Sequence, residues 1–294
     1  MIKWRGIAWS IHPLFVMIMM ASAITGYFAE LTVLFLIVIV HELGHVFAAK
    51  SFGWRIKEVK LLPFGGVAEV EAGGAGAREE ALVALAGPLQ NVWMGLFAWT
   101  CGVTGLWSEP WADYVVQANM MIALFNLLPI HPLDGGKLSH SMISVFLNYY
   151  QTLLWSARLS LGFSMIMIAA AAAPLWIPGY GDGVQLNLLV VGVFLLLSNW
   201  TYYRNVPYLF VRFLTHRRRS SLTALDNGKK ATPIIVNGYQ SILSVAKSLN
   251  RERYHLIYVL DPSGKELRVL AEDQIVESCL SGLNPNRAVR ELLG

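Results

Sequence analysis

The chain has 294 residues, of which 55% are hydrophobic and 14% charged, with a net charge of +4 and a mean hydropathy of +0.49. That balance excludes an ordinary soluble domain and indicates a polytopic membrane protein; the basic residues form no stripe with interleaved aromatics that would suit nucleic acid. The two cysteines, Cys101 and Cys279, are too few for a cysteine metal site, and a bilayer position for one and a cytoplasmic position for the other do not suit a disulfide.

Hydropathy predicts six spans, near 9–28, 31–52, 80–105, 112–130 continuing broken to 148, 153–174 and 184–203. The first apolar run is followed after only Ala29-Glu30 by a second, so it reads as a retained span rather than a cleaved signal. The second span carries His41-Glu42-Leu43-Gly44-His45. Residues four apart on a helix differ by roughly 40° around its axis, so both imidazoles face one way and can share a metal ion, with Glu42 beside them to take a proton from water. An ionisable side chain at mid-bilayer costs roughly 2.5–3.5 kcal/mol, so three on one spanning helix call for a function or a buried partner. A metal hydrolase is the first hypothesis.

Between the second and third spans, Leu61–Glu71 reads as a short hairpin with a Gly65-Gly66 turn. Its edge could receive an extended substrate strand, with Phe64, Gly65, Val67 and Val70 as substrate-side residues. The fourth span is interrupted by Asn126-Leu127-Leu128-Pro129-Ile130-His131-Pro132-Leu133-Asp134-Gly135-Gly136. Non-helical backbone at membrane depth needs protein or a water-filled cavity around it, so the break predicts a polar pocket. Two histidines leave a catalytic zinc one protein ligand short, and Asp134 completes the set, with His131 as a rival. Two imidazoles and a carboxylate suit zinc, though cobalt, manganese or iron could occupy them. His12, His140, His216 and His255 lie near span ends or in the tail and read as structural.

The basic residues fall on the same side of this map as Arg217-Arg218-Arg219, while the opposite loops carry only acidic ones. The positive-inside rule therefore places both termini in the cytoplasm. Residues 204–231 read as a basic juxtamembrane linker suited to an anionic lipid surface. Residues 232–294 read as a small α+β module: strand Thr232–Val236, helix Tyr239–Leu249, strand His255–Leu260, strand Glu266–Leu270 and helix Glu272–Ser281.

The HELGH helix and the NLLPIHPLDGG segment together resemble the site-2 protease family of intramembrane metalloproteases; Ile11-His12-Pro13, Pro63–Gly66 and Ala86-Gly87-Pro88-Leu89-Gln90-Asn91 look like further family elements. The resemblance covers the membrane part, residues 1–203. It implies that His41 and His45 bind zinc, Glu42 is the general base, Asp134 is the third ligand, and Asn126 and Pro132 shape the substrate site. It also implies that the hairpin is re-entrant. The expected fold is thus about six transmembrane helices with a short re-entrant β-hairpin, plus a cytoplasmic module that resembles a single CBS domain. That second resemblance implies an adenine nucleotide such as ATP, with Asp273 near the ribose, although the Ser or Thr usual just before it is missing in Val269–Asp273. One copy per chain implies homo-oligomerisation or an incomplete ligand site. A short site-2 protease with one such domain is similar to the sporulation branch of the family. That likeness implies a membrane-associated sigma-factor precursor as substrate, inhibitory membrane proteins as partners, and the mother-cell membrane around the forespore as location. A CBS-regulated cation transporter and an inactive membrane scaffold are the alternatives.

Overall fold

The apolar run after Tyr27 forms helix α1, Phe28–Ser51, which ends just before Gly53 takes a positive φ of 74°. The computed structural model describes the chain outside residues 1, 5–6, 12–19, 21, 63–64, 72–75, 176–182, 227–230, 262–263, 265, 282–285 and 294. It divides into two compact units, Met1–Ser141 and Met142–Gly294.

In the first unit, strands β1 (Ile2–Trp4), β2 (Ile7–Ile11), β3 (Arg55–Leu62) and β4 (Gly65–Glu71) form one sheet in that order. β2 runs parallel to β3, pairing Trp9 with Val59 and Ile11 with Leu61, so residues 9–11 extend a sheet instead of opening the first expected span; most of that span lies outside the described residues. β3 and β4 make the expected hairpin, but Leu62 pairs with Gly65. Gly65-Gly66 therefore begins a strand rather than forming the turn, and residues 63 and 64 lie outside the described residues. β3 is internal, which leaves β4 with an open edge among the described residues.

Helices α2 (Ala77–Val103) and α3 (Glu109–Asn126) complete the packing of this unit. Ile37, Ala98, Val115 and Ala118 form its buried core, and a Cβ on Gly102 would lie 2.7 Å from that of Ala112. Small residues at such crossings let apolar helices approach where no hydrophobic force drives them together. After α3 the chain turns through residues 127–133 and re-enters a helix, α4 (Asp134–Phe146), at Asp134 itself.

The second unit holds α5 (Tyr149–Ala172), α6 (Leu186–Arg204) and α7 (Val206–Asp226). Asn148 starts α5 by accepting the Gln151 N–H at 2.9 Å. There follow β5 (Ala231–Asn237), α8 (Ile242–Lys247), β6 (Tyr254–Leu260), β7 (Glu266–Ala271) and α9 (Glu272–Leu280), the order expected from the sequence. β5 and β6 are parallel, and β6 and β7 antiparallel. Among the described residues four helices are long and apolar enough to cross a membrane: α1, α2, α5 with its 3-10 extension to Leu175, and α6.

The residues expected to be a basic linker are mostly helical. Val206, Phe210 and Leu214 recur at helical spacing and enter one core with Leu153 and Ala157 of α5 and Ile242, Val245, Ile257, Leu270 and Ile275 of the terminal module. One turn further, Arg217 is buried. Its guanidinium donates to both carboxylate oxygens of Glu272 and to the carbonyls of Asn250 and Arg253. The backbone N–H of His255 also donates to Glu272, at 2.8 Å. Arg217, counted above among the charges that set topology, is thus an internal cation with saturated donors.

Burial alone would raise the Glu272 pKa, but hydrogen bonds from His255 and Arg217, with the Arg217 charge, outweigh it and hold the carboxyl below its usual range. A depressed carboxyl contributes stability above its unfolded pKa, and loses it as pH falls toward the folded value. Glu272→Gln should therefore destabilise the chain by about 3–5 kcal/mol at pH 7, since it leaves a buried cation uncompensated. In thermal unfolding of the detergent-solubilised chain, the gap between wild type and variant should hold down to about pH 4.3 and then close. A gap independent of pH would refute this account.

Candidate metal centre

His41 and His45 lie one turn apart on α1, and Asp134 opens α4; all three are buried. Asp134 Oδ2 lies 3.1 Å from His41 Nε2 and 3.0 Å from His45 Nε2, and the two Nε2 atoms are 3.2 Å apart. Among the described residues this is the group of His, Cys, Asp and Glu side chains able to hold a metal ion.

The far sides of the imidazoles say what faces inward. His41 Nδ1 meets Asn91 Oδ1 at 2.5 Å, and His45 Nδ1 meets the Val83 carbonyl at 2.7 Å. Both partners are acceptors, so each Nδ1 carries a proton and each neutral ring keeps its Nε2 lone pair. Two lone pairs and a carboxylate oxygen then converge in a buried place, an arrangement that repels itself without a cation. Four-coordinate zinc with bonds of about 2.0–2.1 Å has ligand atoms about 3.3 Å apart, close to the spacing present. The donor set fits zinc.

Lys137 Nζ bonds the other oxygen, Asp134 Oδ1, at 3.0 Å, which leaves Oδ2 to the imidazoles. Gly135 and Gly136 let α4 start against the preceding turn, since a Cβ there would lie 2.1 Å from the Leu127 carbonyl oxygen and 2.6 Å from the Ile130 carbonyl carbon. Gly87 on α2 abuts the site itself: a Cβ would sit 2.3 Å from His45 Nε2 and 2.7 Å from His41 Nε2.

Glu42 is partly buried on α1 beside the pair, in the field of His41, His45, Lys137 and Asp134. His131 stands outside the three-residue group, its ring 6.1 Å from that of His140. Asn126 ends α3 and donates to the Ile122 carbonyl at 3.0 Å, while Pro132 is exposed in the turn after a cis peptide bond. Gly65, Val67 and Val70 lie in β4, and Phe64 lies outside the described residues. In the second unit Asp273 accepts from the Tyr254 hydroxyl at 3.1 Å. Sequence reasoning gave no role to Asn91, to the Val83 carbonyl or to Lys137. The signal for Asn91 was a polar side chain inside an apolar run; a backbone carbonyl leaves no signal of that kind.

The model of peptidase family M50 matches residues 29–110, a stretch that includes both histidines. Stage IV sporulation protein FB of Bacillus subtilis is 33% identical over 294 residues, covering 99% of this chain and 98% of its own length. The chain belongs to peptidase family M50, the site-2 proteases. Another relative, a zinc metalloprotease of Methanocaldococcus jannaschii, is 30% identical over 46% of this chain and 40% of its own. A solved site-2 protease from the same organism superposes with a TM-score of 0.53 at 25% identity, covering 69% of this chain and 94% of that one. Family membership and the His-His-Asp group together make this chain a site-2-type zinc metalloprotease, and its apolar helices make it a multi-pass membrane protein.

Replacing Gly87 with Ala tests the packing. An exposed Gly→Ala in a helix gains roughly 0.5–1 kcal/mol, whereas overpacking of this kind costs about 1–3 kcal/mol, so the clash should win. The variant should insert normally yet lose zinc, measured as metal content after purification. Full zinc occupancy would show that the imidazoles do not stand where described.

Proposed function

We propose that this chain cuts a membrane-associated protein within or beside the bilayer, with His41, His45 and Asp134 holding zinc and Glu42 as general base. The observation that carries the reading is the convergence of two Nε2 lone pairs and Asp134 Oδ2 within 3.2 Å in a buried place. Zinc, when bound, supplies a Lewis acid that polarises the scissile carbonyl and makes water more acidic. Glu42 takes the proton from the attacking water and returns it to the leaving amide nitrogen as the C–N bond breaks. Lys137 holds the second oxygen of Asp134, and Asn126 and Pro132 line the approach.

A peptide bond within a helix is shielded, and its freed backbone groups cost several kcal/mol each in hydrocarbon unless they are satisfied. The open edge of β4 supports pairing with an unwound, extended substrate. Successive residues of a strand send their N–H groups to opposite edges, so Val67 and Val70, three apart, serve different edges. Proline at one should remove an edge donor and slow cleavage with the hairpin intact, while proline at the other breaks pairing with β3. Unchanged cleavage by both would exclude strand addition.

The near full-length relative named for sporulation supports a role in that process, with a sigma-factor precursor as substrate, inhibitory membrane proteins as partners and the mother-cell membrane around the forespore as site of action. Both termini are cytoplasmic on this reading. The exposed Tyr208, Val211 and Arg212 of α7 support contact with anionic lipid. The terminal module acts as a CBS domain that binds an adenine nucleotide near Asp273. Its open sheet face carries Ile235, Tyr258 and Val269 in one cross-strand row, which supports pairing with a second copy.

The test is co-expression of wild type and Glu42→Gln with a tagged sigma-factor precursor, followed by immunoblot. Wild type should yield a discrete shorter product and the variant none, with the variant retaining zinc. An uncut precursor with wild type would remove the substrate assignment, and a cut one with the variant would remove Glu42 from its role.

A further inference from the structure

We infer that Asn119 on α3 is a positioning residue for the metal centre, acting through Asn91 to fix which nitrogen of His41 carries the proton. The inference rests on the reading of His41 as a zinc ligand. Asn119 and Asn91 are each 1% exposed and His41 is 3% exposed, and they form a continuous hydrogen-bonded line across α3, α2 and α1.

Asn119 Nδ2 donates to the Val115 carbonyl, one turn back on its own helix, at 2.9 Å. A carbonyl oxygen only accepts, so this bond pins the amino end of the amide and turns Oδ1 the other way. Asn119 Oδ1 then accepts from Asn91 Nδ2 at 3.4 Å. Asn91 in turn has only Oδ1 left to face His41 Nδ1, at 2.5 Å, and that contact requires the proton on Nδ1. The Nε2 lone pair is thereby aimed at the place where His45 Nε2 and Asp134 Oδ2 converge.

The contrast with His45 explains why such a line is needed. His45 is oriented by the Val83 carbonyl, a backbone group that cannot exchange an acceptor for a donor. The partner of His41 is a side-chain amide, which a half-turn converts from acceptor to donor. With the amino end of Asn91 against Nδ1, the imidazole would carry its proton on Nε2, where a metal must bind. Asn119 closes off that half-turn. A polar amide inside an apolar helix is costly unless bonded, and here both ends of Asn119 are engaged.

The test measures zinc affinity of the purified full-length chain in detergent, by competition with a chromophoric chelator, with His45→Ala as the reference for loss of the site. Asn119→Leu and Asn119→Ala should weaken zinc binding about 10–100-fold, the usual effect of removing such outer partners. A carboxylate at position 91 presents an acceptor whichever way it turns. Asn91→Asp combined with Asn119→Leu should therefore bind zinc at near the wild-type affinity. Asn91→Asp alone, with Asn119 Oδ1 facing the carboxylate, should bind less well than the pair. A packing role for Asn119 would leave Asn119→Leu defective whatever stands at position 91. Wild-type affinity in Asn119→Leu, or failure of the double variant to recover, would overturn the inference while leaving the metal centre intact. A wild-type chain no better than His45→Ala would remove both.

Discussion

Everything at the metal centre depends on how closely α1 and α2 approach. A Cβ on Gly44 would lie 2.7 Å from the Ala86 carbonyl oxygen, and one on Gly87 would lie 2.3 Å from His45 Nε2. The two glycines face across one crossing, and their lack of side chains puts the α2 backbone within hydrogen-bond reach of an imidazole on α1. Pro88, inside α2, cannot supply a backbone donor to its own preceding turn. The carbonyl that loses its helical donor is that of Ala84, and the neighbouring Val83 carbonyl meets His45 Nδ1 at 2.7 Å. In an apolar surround each buried donor near the site needs a partner, and the close crossing supplies one from the protein.

Much of this centre was legible in the sequence because its chemistry depends on rare residues. Ionisable side chains at helical spacing in an apolar run, and a carboxylate beside glycines and prolines, stand out against hydrocarbon-facing neighbours. Asn91 and Asn119 stand out less, since a neutral amide in a spanning helix also serves plain helix packing. Their roles follow only from which oxygen faces which nitrogen. The module after residue 231 was legible element by element, because period-two alternation separates His255, Ile257 and Val259 from their outward neighbours.

Other features escaped for physical reasons. Gly65-Gly66 has the chemistry of a turn, but Gly65 pairs with Leu62 and Gly66 with Leu61, so the two glycines open a strand instead. Trp9–Ile11 is apolar enough to open a span, yet a strand partner in β3 satisfies its backbone instead. Arg217 stands in a run of three arginines, where each looks like its neighbours; helical phase alone turns this one inward, on the stripe of Val206, Phe210 and Leu214.

That stripe ties the terminal module to the membrane helices more tightly than a flexible tether would. The Tyr149 N–H at the start of α5 donates to the Leu249 carbonyl at 3.1 Å, the Tyr149 ring stacks on Phe213 at 4.0 Å, and the core runs unbroken from α5 through α7 into the sheet. A module joined in this way is thermodynamically linked to the ends of those helices. Any ligand that prefers one packing of the module shifts the population of helix arrangements by its differential affinity. By reciprocity, whatever displaces the Tyr149 end of α5 changes that ligand's affinity by the same factor, so a ligand on the module would sense the state of those helices.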